Sequence, residues 1–531
     1  MRVSFRFSAC GRYAACLSAG EDGGLQPEVW DFTRNGVRLL PGTADAGTQV
    51  LPLDGDRILL CRNENGRYEI TELTEAGERV VAAGTGLVVH LNAGSHTSGV
   101  LAVGAAPDGS GGRIFRVGTG LEPLAALPPG VQGAGVPLGP GLLGFTRLGP
   151  YTAGPVMVDL VRDAWTQVPG AGPGAQLLAG SPRSGLMLLA EPRPDGYEVR
   201  WNHADGRAEP RRVTGIDGVL TPLAAHGDGR RFALRLDRGS RSRLAVLTPE
   251  TGELTEPAVP DGVLHASAGW QGDTLRVPFT SPGAPGSVLS VTPDGFRLDP
   301  PARAVRARVE VVAGTEAVTY GDWRAADRVV IALHGGPQDA WRYAYDRVFA
   351  AIAETGVAVV APNQRGSSGY GAAHRDALVG AWGGPDLDDV LAVAAAVGGR
   401  PRLYGVSYGA YLALLAYARR PESWSRCAVV APFLSPAGLY AHADPSVRRL
   451  IDRLDGHSGP DVAPLAERLR PPLMVIHGAD DPVIPVAHAR RLRTLIPAAI
   501  DYLEIPGAGH SPLSEAGGAE LTGRLAEFLA A

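Results

Sequence analysis

A chain of 531 residues and 55.3 kDa is too long for one ordinary compact domain and comfortable for two. Its net charge of −5 and pI near 6.2 exclude the basic excess that holds nucleic acid or an anionic membrane. All 50 basic residues are arginine, which removes the chemistry that needs a lysine amine: P-loop phosphate binding, the kinase ATP lysine and a Schiff base with a carbonyl group.

At the N-terminus, Arg2, Arg6 and Arg12 are not followed by an apolar run of about 7–15 residues, so no leader is expected. No stretch of about 20 apolar residues occurs anywhere, so no membrane span is expected. Four cysteines (Cys10, Cys16, Cys61, Cys427) are few, irregularly spaced and without a CxxC pair. This speaks against a disulfide scaffold or a structural zinc and predicts a soluble protein of a reducing, cytoplasmic compartment. No metal or other cofactor is expected.

Through residue 300 the chain is built of short β-type runs broken by Gly, Pro or Asp. The 71 glycines and 44 prolines therefore read as turns, because 45% of residues are hydrophobic and no collagen-like period is present. A unit recurs: a short strand, a Gly-containing turn, an apolar strand, a turn and a further strand. Turn and apolar strand are seen in Ala9-Cys-Gly-Arg-Tyr-Ala-Ala-Cys, Asp54-Gly-Asp-Arg-Ile-Leu-Leu-Cys and Gly227-Asp-Gly-Arg-Arg-Phe-Ala-Leu. Units begin near Ser4, Val50, Val88, Gly133, Gln176, Leu220 and Val263, a spacing of about 43 residues, which is the four-strand blade period of a β-propeller. One or two β-sandwiches are the competing reading, but a sandwich does not require a single period over so long a stretch. A seven-bladed all-β propeller is predicted over 1–300.

After Asp299 the pattern changes. Continuous apolar strands at Arg328–Leu333, Val357–Ala361, Arg402–Tyr404, Ala428–Val430, Leu473–Ile476 and Tyr502–Ile505 alternate with helical stretches at Tyr345–Thr355, Asp386–Val397, Tyr408–Arg419 and from about Glu515. Buried strands alternating with helices predict a doubly wound, mostly parallel α/β sheet over 301–531.

Four pieces of this second part carry chemistry. Gly405-Val-Ser-Tyr-Gly409, between a strand and a helix, is a GxSxG elbow: the tight turn holds the Ser407 hydroxyl above the sheet, and Gly405 and Gly409 relieve the crowding. His477-Gly-Ala-Asp-Asp-Pro-Val-Ile-Pro485 follows a strand and offers a carboxylate to orient an imidazole; Asp481 is preferred for its spacing to Pro485, with Asp480 the alternative. Ile505-Pro-Gly-Ala-Gly-His510 puts His510 on a Gly-rich loop as the general base. The order Ser407, Asp481, His510 is the nucleophile–acid–base order of α/β-hydrolases. His334-Gly-Gly-Pro337 follows a strand with glycine amides able to face an oxyanion beside the Tyr408 amide, while His334 itself reads as structural. The absence of lysine also closes the Ser–Lys route.

These residues resemble the prolyl oligopeptidase family of serine peptidases, and most nearly its acylaminoacyl-peptidase branch. The resemblance lies in residues 328–531: His334-Gly-Gly-Pro, Asn363-Gln-Arg-Gly-Ser-Ser-Gly-Tyr-Gly371, Trp382-Gly-Gly-Pro-Asp, Gly405-Val-Ser-Tyr-Gly-Ala-Tyr411, Asp481 and His510. The propeller resemblance is architectural. The family implies a triad of Ser407, Asp481 and His510, oxyanion donors at the amides of Gly336 and Tyr408, and support from His334, Gly335 and the Arg365 segment. It also implies a propeller that restricts access by size, since the stretch from Phe433 to Pro471 is short for a lid. In many relatives an arginine two positions after the aspartate grips a substrate carbonyl; here Val483 stands there, which puts peptide specificity in question more than the chemistry. The sequence opens almost at the first repeat, so the N-terminal helical segment of some relatives is not expected.

The expected activity is hydrolysis of short peptides or aminoacyl and acylaminoacyl amides. The alternative is an esterase or small-molecule amide hydrolase using the same triad, and a non-catalytic scaffold is disfavoured because every catalytic position is filled. Partners are expected to be small substrates, not nucleic acid or membrane, and homo-oligomerisation is left open.

Overall fold

The computed structural model describes every residue except 1, 20–23, 35, 46, 54, 56, 95–98, 149–153, 194–195, 208, 217, 471, 497 and 516. Asp54 and Asp56 of the second repeat turn, and Pro471, thus lie outside the described residues.

Seven antiparallel sheets form the N-terminal propeller, spanning 2–39, 49–85, 88–127, 136–167, 176–212, 219–255 and 263–299. Each blade is one contiguous stretch of chain whose first strand falls within three residues of the predicted start. The seventh carries an added short strand, Gly269–Gln271, paired with Thr274–Ser281. The second strands are the most apolar because both faces of each blade are covered by neighbours: Leu101–Ala105 is buried at every position, and so are the first six residues of Leu186–Arg193.

The propeller core is divided among the joints between blades. Ala15, Leu17 and Val29 of the first blade meet Ile58 and Leu60 of the second, and Leu186 and Leu188 of the fifth meet Phe232 and Leu234 of the sixth. The ring closes without strand exchange. Val288 of the seventh blade packs with Phe5, Phe7 and Trp30 of the first, and Arg2 donates to the Gly286 carbonyl at 2.9 Å.

The C-terminal domain is an eight-stranded sheet: β1 (Ala307–Val312), β2 (Thr315–Tyr320), β3 (Val329–Leu333), β4 (Ala358–Pro362), β5 (Arg402–Val406), β6 (Arg426–Val430), β7 (Leu473–Gly478) and β8 (Asp501–Ile505), in the order β1-β2-β4-β3-β5-β6-β7-β8. β1, β2 and β4 pair antiparallel, and all pairs from β4 through β3 to β8 are parallel. Alternate side chains serve two cores. Ile331, Leu333, Leu403, Val429 and Val475 face the helices Pro385–Val397 and Tyr408–Arg419. Val330, Ala332, Tyr404, Ala428 and Met474 face Arg347–Glu354 and Gly518–Ala530.

The last helix begins at Gly518, three residues later than the sequence suggests, because the Glu515 carboxylate folds back onto the loop that carries His510. Among the described residues no helix is long and apolar enough to cross a membrane.

The propeller meets the hydrolase domain at loops that leave the C-terminal ends of β3 and β4 and at the start of β2. The turn of the sixth blade between the strands Phe232–Arg238 and Arg241–Thr248 carries this contact. Gly239 donates to the Gly369 carbonyl at 2.9 Å, Ser240 donates to Glu316 at 3.0 Å, and Arg342 pairs with Asp237 at 2.6 Å.

Candidate active site

β5 ends at Val406 and the helix Tyr408–Arg419 begins two residues later, so Ser407 alone makes the turn, at φ +55° and ψ −119°. That backbone is unfavourable for any residue with a side chain. It holds because the flanks fit only glycine: a Cβ on Gly405 would collide with the Gly409 carbonyl, and one on Gly409 with the Leu333 carbonyl. The Ser407 amide is tied to the Val430 carbonyl at 2.9 Å.

Asp481 lies in the turn after β7, with its side chain buried. Its Oδ1 accepts the amides of Val483 (2.8 Å) and Ile484 (2.9 Å), which leaves Oδ2 for His510. His510 Nδ1 donates to that Oδ2 at 2.8 Å, and its Nε2 lies 3.2 Å from the Ser407 hydroxyl. Because a carboxylate accepts, the His510 hydrogen sits on Nδ1 and the Nε2 lone pair faces Ser407. Burial alone would raise the Asp481 pKa; hydrogen bonds from His477, His510 and the Ile484 amide outweigh it and hold the carboxyl well below its ordinary range. Asp480, one residue away, is exposed and is bypassed.

The loop bearing His510 lies directly on β7. A Cβ on Gly478 would collide with the carbonyls of Ala508 and Gly509, so the close approach requires glycine there. Glu515 accepts the Gly509 amide at 2.8 Å and the Ser511 amide at 3.3 Å, bracketing His510.

Around Ser407 the other expected residues fall as follows. Gly335 stands beside it, a Cβ there lying 3.2 Å from that of Ser407. Gly336 turns the same loop at φ +116°. His334 is buried; its Nδ1 donates to the Gly335 carbonyl at 2.7 Å and its Nε2 meets the Ser367 hydroxyl at 2.7 Å, so it braces this loop against the segment 363–371. Arg365 is engaged with a helix that follows. Its guanidinium grips Asp389 of the helix Pro385–Val397 with both Nε and Nη2 (3.0 and 2.7 Å), while its amide donates to the same carboxylate. Val483 packs partly buried against the core, and its backbone serves Asp481.

The Tyr408 side chain points inward, into a wall formed with Trp382, Tyr411 and Phe433, and its hydroxyl meets Asp386 at 2.6 Å.

Three of these residues escaped the reading of the sequence: Glu515, Asp386 and His477. Glu515 stands where the sequence suggests the tail helix, and Asp386 belongs to the quoted Trp382-Gly-Gly-Pro-Asp stretch, but its pairing with Tyr408 across 22 positions has no spacing signal. His477 was in view only as the start of the acidic turn. No group of three or more His, Cys, Asp or Glu among the described residues is placed to hold a metal ion.

Residues 343–531 match the model of the prolyl oligopeptidase family. The match lies within the hydrolase domain and covers less than half of the chain. The relatives that match this stretch are peptidases by name. Dipeptidyl peptidase family member 6 of Caenorhabditis elegans is 27% identical over 231 residues, which is 38% of this chain and 30% of the relative, so the chain spans under a third of that relative's length. Among solved structures, the acylaminoacyl peptidase of Pyrococcus horikoshii superposes with a TM-score of 0.76 at 13% identity over 99% of this chain and 95% of its own. A puromycin-hydrolysing peptidase of Mycobacterium tuberculosis gives a TM-score of 0.72 at 18% identity over 99% and 93%. At these identities the structural likeness is one of fold: a propeller joined to an α/β-hydrolase domain, along the whole chain.

Proposed function

We propose that this protein is a serine peptidase that cleaves short peptides or aminoacyl and acylaminoacyl amides through an acyl-enzyme on Ser407. The observation that carries this reading is the hydrogen-bonded sequence Ser407–His510–Asp481 at a strained elbow. His510 takes the hydroxyl proton as Ser407 Oγ attacks the amide carbonyl, and Asp481 fixes the tautomer and stabilises the imidazolium. The amides of Gly336 and Tyr408 face the oxygen that gains charge, where each preorganised donor contributes roughly 3–4 kcal/mol. The proton on His510 then passes to the leaving amine. The released site admits water, which His510 activates to free the acid.

The propeller limits entry by size. In support, its sixth blade abuts the loops at the C-terminal edge of the sheet, the edge on which Ser407 stands. Four unpaired cysteines fit a reducing, cytoplasmic setting. A second reading is an amide hydrolase for small conjugates; its support is the likeness to puromycin-hydrolysing structures and the valine where many relatives have a carbonyl-gripping arginine.

The test is kcat/KM for a matched panel: unblocked and N-blocked aminoacyl-anilides, tripeptide amides, puromycin and a short-chain ester. Amides turned over ahead of the ester, by an activity that Ser407→Ala abolishes, support the proposal. An ester preference with no amide turnover, or full activity in Ser407→Ala, overturns it.

A further inference from the structure

His477 is the last residue but one of β7, with its side chain fully buried, four residues before Asp481. Its Nε2 lies 2.9 Å from the Ile484 carbonyl and 3.3 Å from Asp481 Oδ2. A carbonyl oxygen only accepts, so Nε2 carries the ring hydrogen. Nδ1 is buried and meets no partner, which suits a lone pair and not a second hydrogen. The same Oδ2 accepts the Nδ1–H of His510. The Nε2–H of His477 is thus held on the Ile484 carbonyl with Asp481 Oδ2 alongside it, so this one carboxylate oxygen has an imidazole N–H near it on the core side and accepts the Nδ1–H of His510 on the solvent side.

We propose that His477 is a positioning residue that shares Asp481 Oδ2 with His510, fixes the lone pair His510 meets, and keeps the basicity of His510 in check. This rests on the roles given above to Ser407, His510 and Asp481.

The reasoning is electrostatic. Charge on Oδ2 engaged by His477 is not available to hold the imidazolium that forms on His510 during attack. Without the His477 donor, the carboxylate acts on His510 alone, so His510 binds its proton more tightly. It then becomes available as a base only at higher pH. The neighbouring groups do not supply a substitute donor. His488, from the helix Ala487–Leu495, faces His477, with Asp461, His442 and Arg491 around His488. His510 itself faces Asp481 and Ser407, and Glu515 binds the amides of its loop. The turn is also stiffened from within. The Asp481 carboxylate takes the Ile484 amide while His477 holds the Ile484 carbonyl, so loss of His477 frees one side of the turn.

The test is the pH dependence of kcat/KM in the full-length enzyme for wild type, His477→Leu and His477→Gln, normalised by titration with a fluorophosphonate probe. Leucine fills the space without a donor; glutamine places an amide N–H where Nε2 stood. In His477→Leu the acid limb moves up by about half to one pH unit and kcat falls roughly tenfold. His477→Gln brings both back toward wild type. An acid limb common to all three proteins, or a well-folded glutamine variant that behaves like leucine, overturns the proposal. Should the leucine variant not fold, His477→Asn, whose shorter side chain does not reach Asp481, is expected to show the same upward shift, and an unshifted limb there overturns it equally. Retained turnover in Ser407→Ala would instead overturn the underlying reading, and it is measured without touching His477.

Discussion

The hydroxyl of Tyr408 donates to the carboxylate of Asp386 at 2.6 Å, with both residues buried. The residue whose amide is assigned to the oxyanion is therefore anchored through its side chain to an acid 22 positions earlier. Burial pushes Asp386 up to about 6, against hydrogen bonds from Tyr408 and the Leu387 amide that favour the ionised form. Its folded pKa lies above the unfolded value of about 3.9. Its contribution to stability is thus fully present below about pH 4 and is lost as pH rises through about 6. In Asp386→Asn the melting temperature relative to wild type should rise between pH 4.5 and pH 7.5, by an amount corresponding to on the order of 2 kcal/mol. A difference independent of pH would show that Asp386 does not ionise in this range. Asp481 works in the opposite sense: held below its ordinary range, it stabilises above about pH 4 and ceases to do so as pH falls.

Glu515 accepts the amides on both sides of His510. Glu515→Ala should lower kcat roughly tenfold with little change in KM, since it loosens the base and not the substrate pocket. Glu515→Gln retains one acceptor and should recover part of the loss. Steady-state kinetics over a range of substrate concentrations through saturation decide the point, and an effect confined to KM would count against it.

Ser407→Ala should remove about four to six orders of magnitude of turnover and leave the fold intact. Ser407→Gly, equally inactive, should be more stable than Ser407→Ala by about 1 kcal/mol, because only glycine adopts φ +55° and ψ −119° without strain. Paired thermal melts at one pH read this directly.

Asp237 serves both domains, accepting Arg342 at 2.6 Å, Arg235 at 3.1 Å and the Ser242 hydroxyl at 2.7 Å. Asp237→Ala leaves two guanidinium groups facing each other and should cost about 3–5 kcal/mol. Arg342→Ala leaves the carboxylate paired with Arg235 and should cost about 1 kcal/mol. Thermal melts and limited proteolysis across 300–306 measure the ranking, and equal losses would contradict it.

The parts of the molecule legible in the sequence are those set by neighbours along the chain. Blade starts could be read because every blade is contiguous. The elbow could be read because the strand-to-helix turn packs Gly405 onto the Gly409 carbonyl four residues on, and the turn at Asp481 because its own carboxylate takes the amides of Val483 and Ile484. Asp386 with Tyr408 and Asp237 with Arg342 left no such trace. Each is a contact between segments whose spacing carries no periodicity, made by residue types that are common on surfaces. His477 was hidden differently: it stands in a recognisable motif, but its burial and its second acceptor, Ile484, exist only in the folded turn.

Ring closure without strand exchange also bears on synthesis. The first blade leaves the ribosome with Phe5, Phe7 and Trp30 on the face that Val288 covers. Nothing from the next five blades reaches that face, since each covers only its immediate neighbours. The nascent propeller therefore carries one greasy end for nearly 300 residues of elongation, and that end, not the catalytic domain behind it, is where the unfinished chain is most exposed to aggregation and most in need of a chaperone.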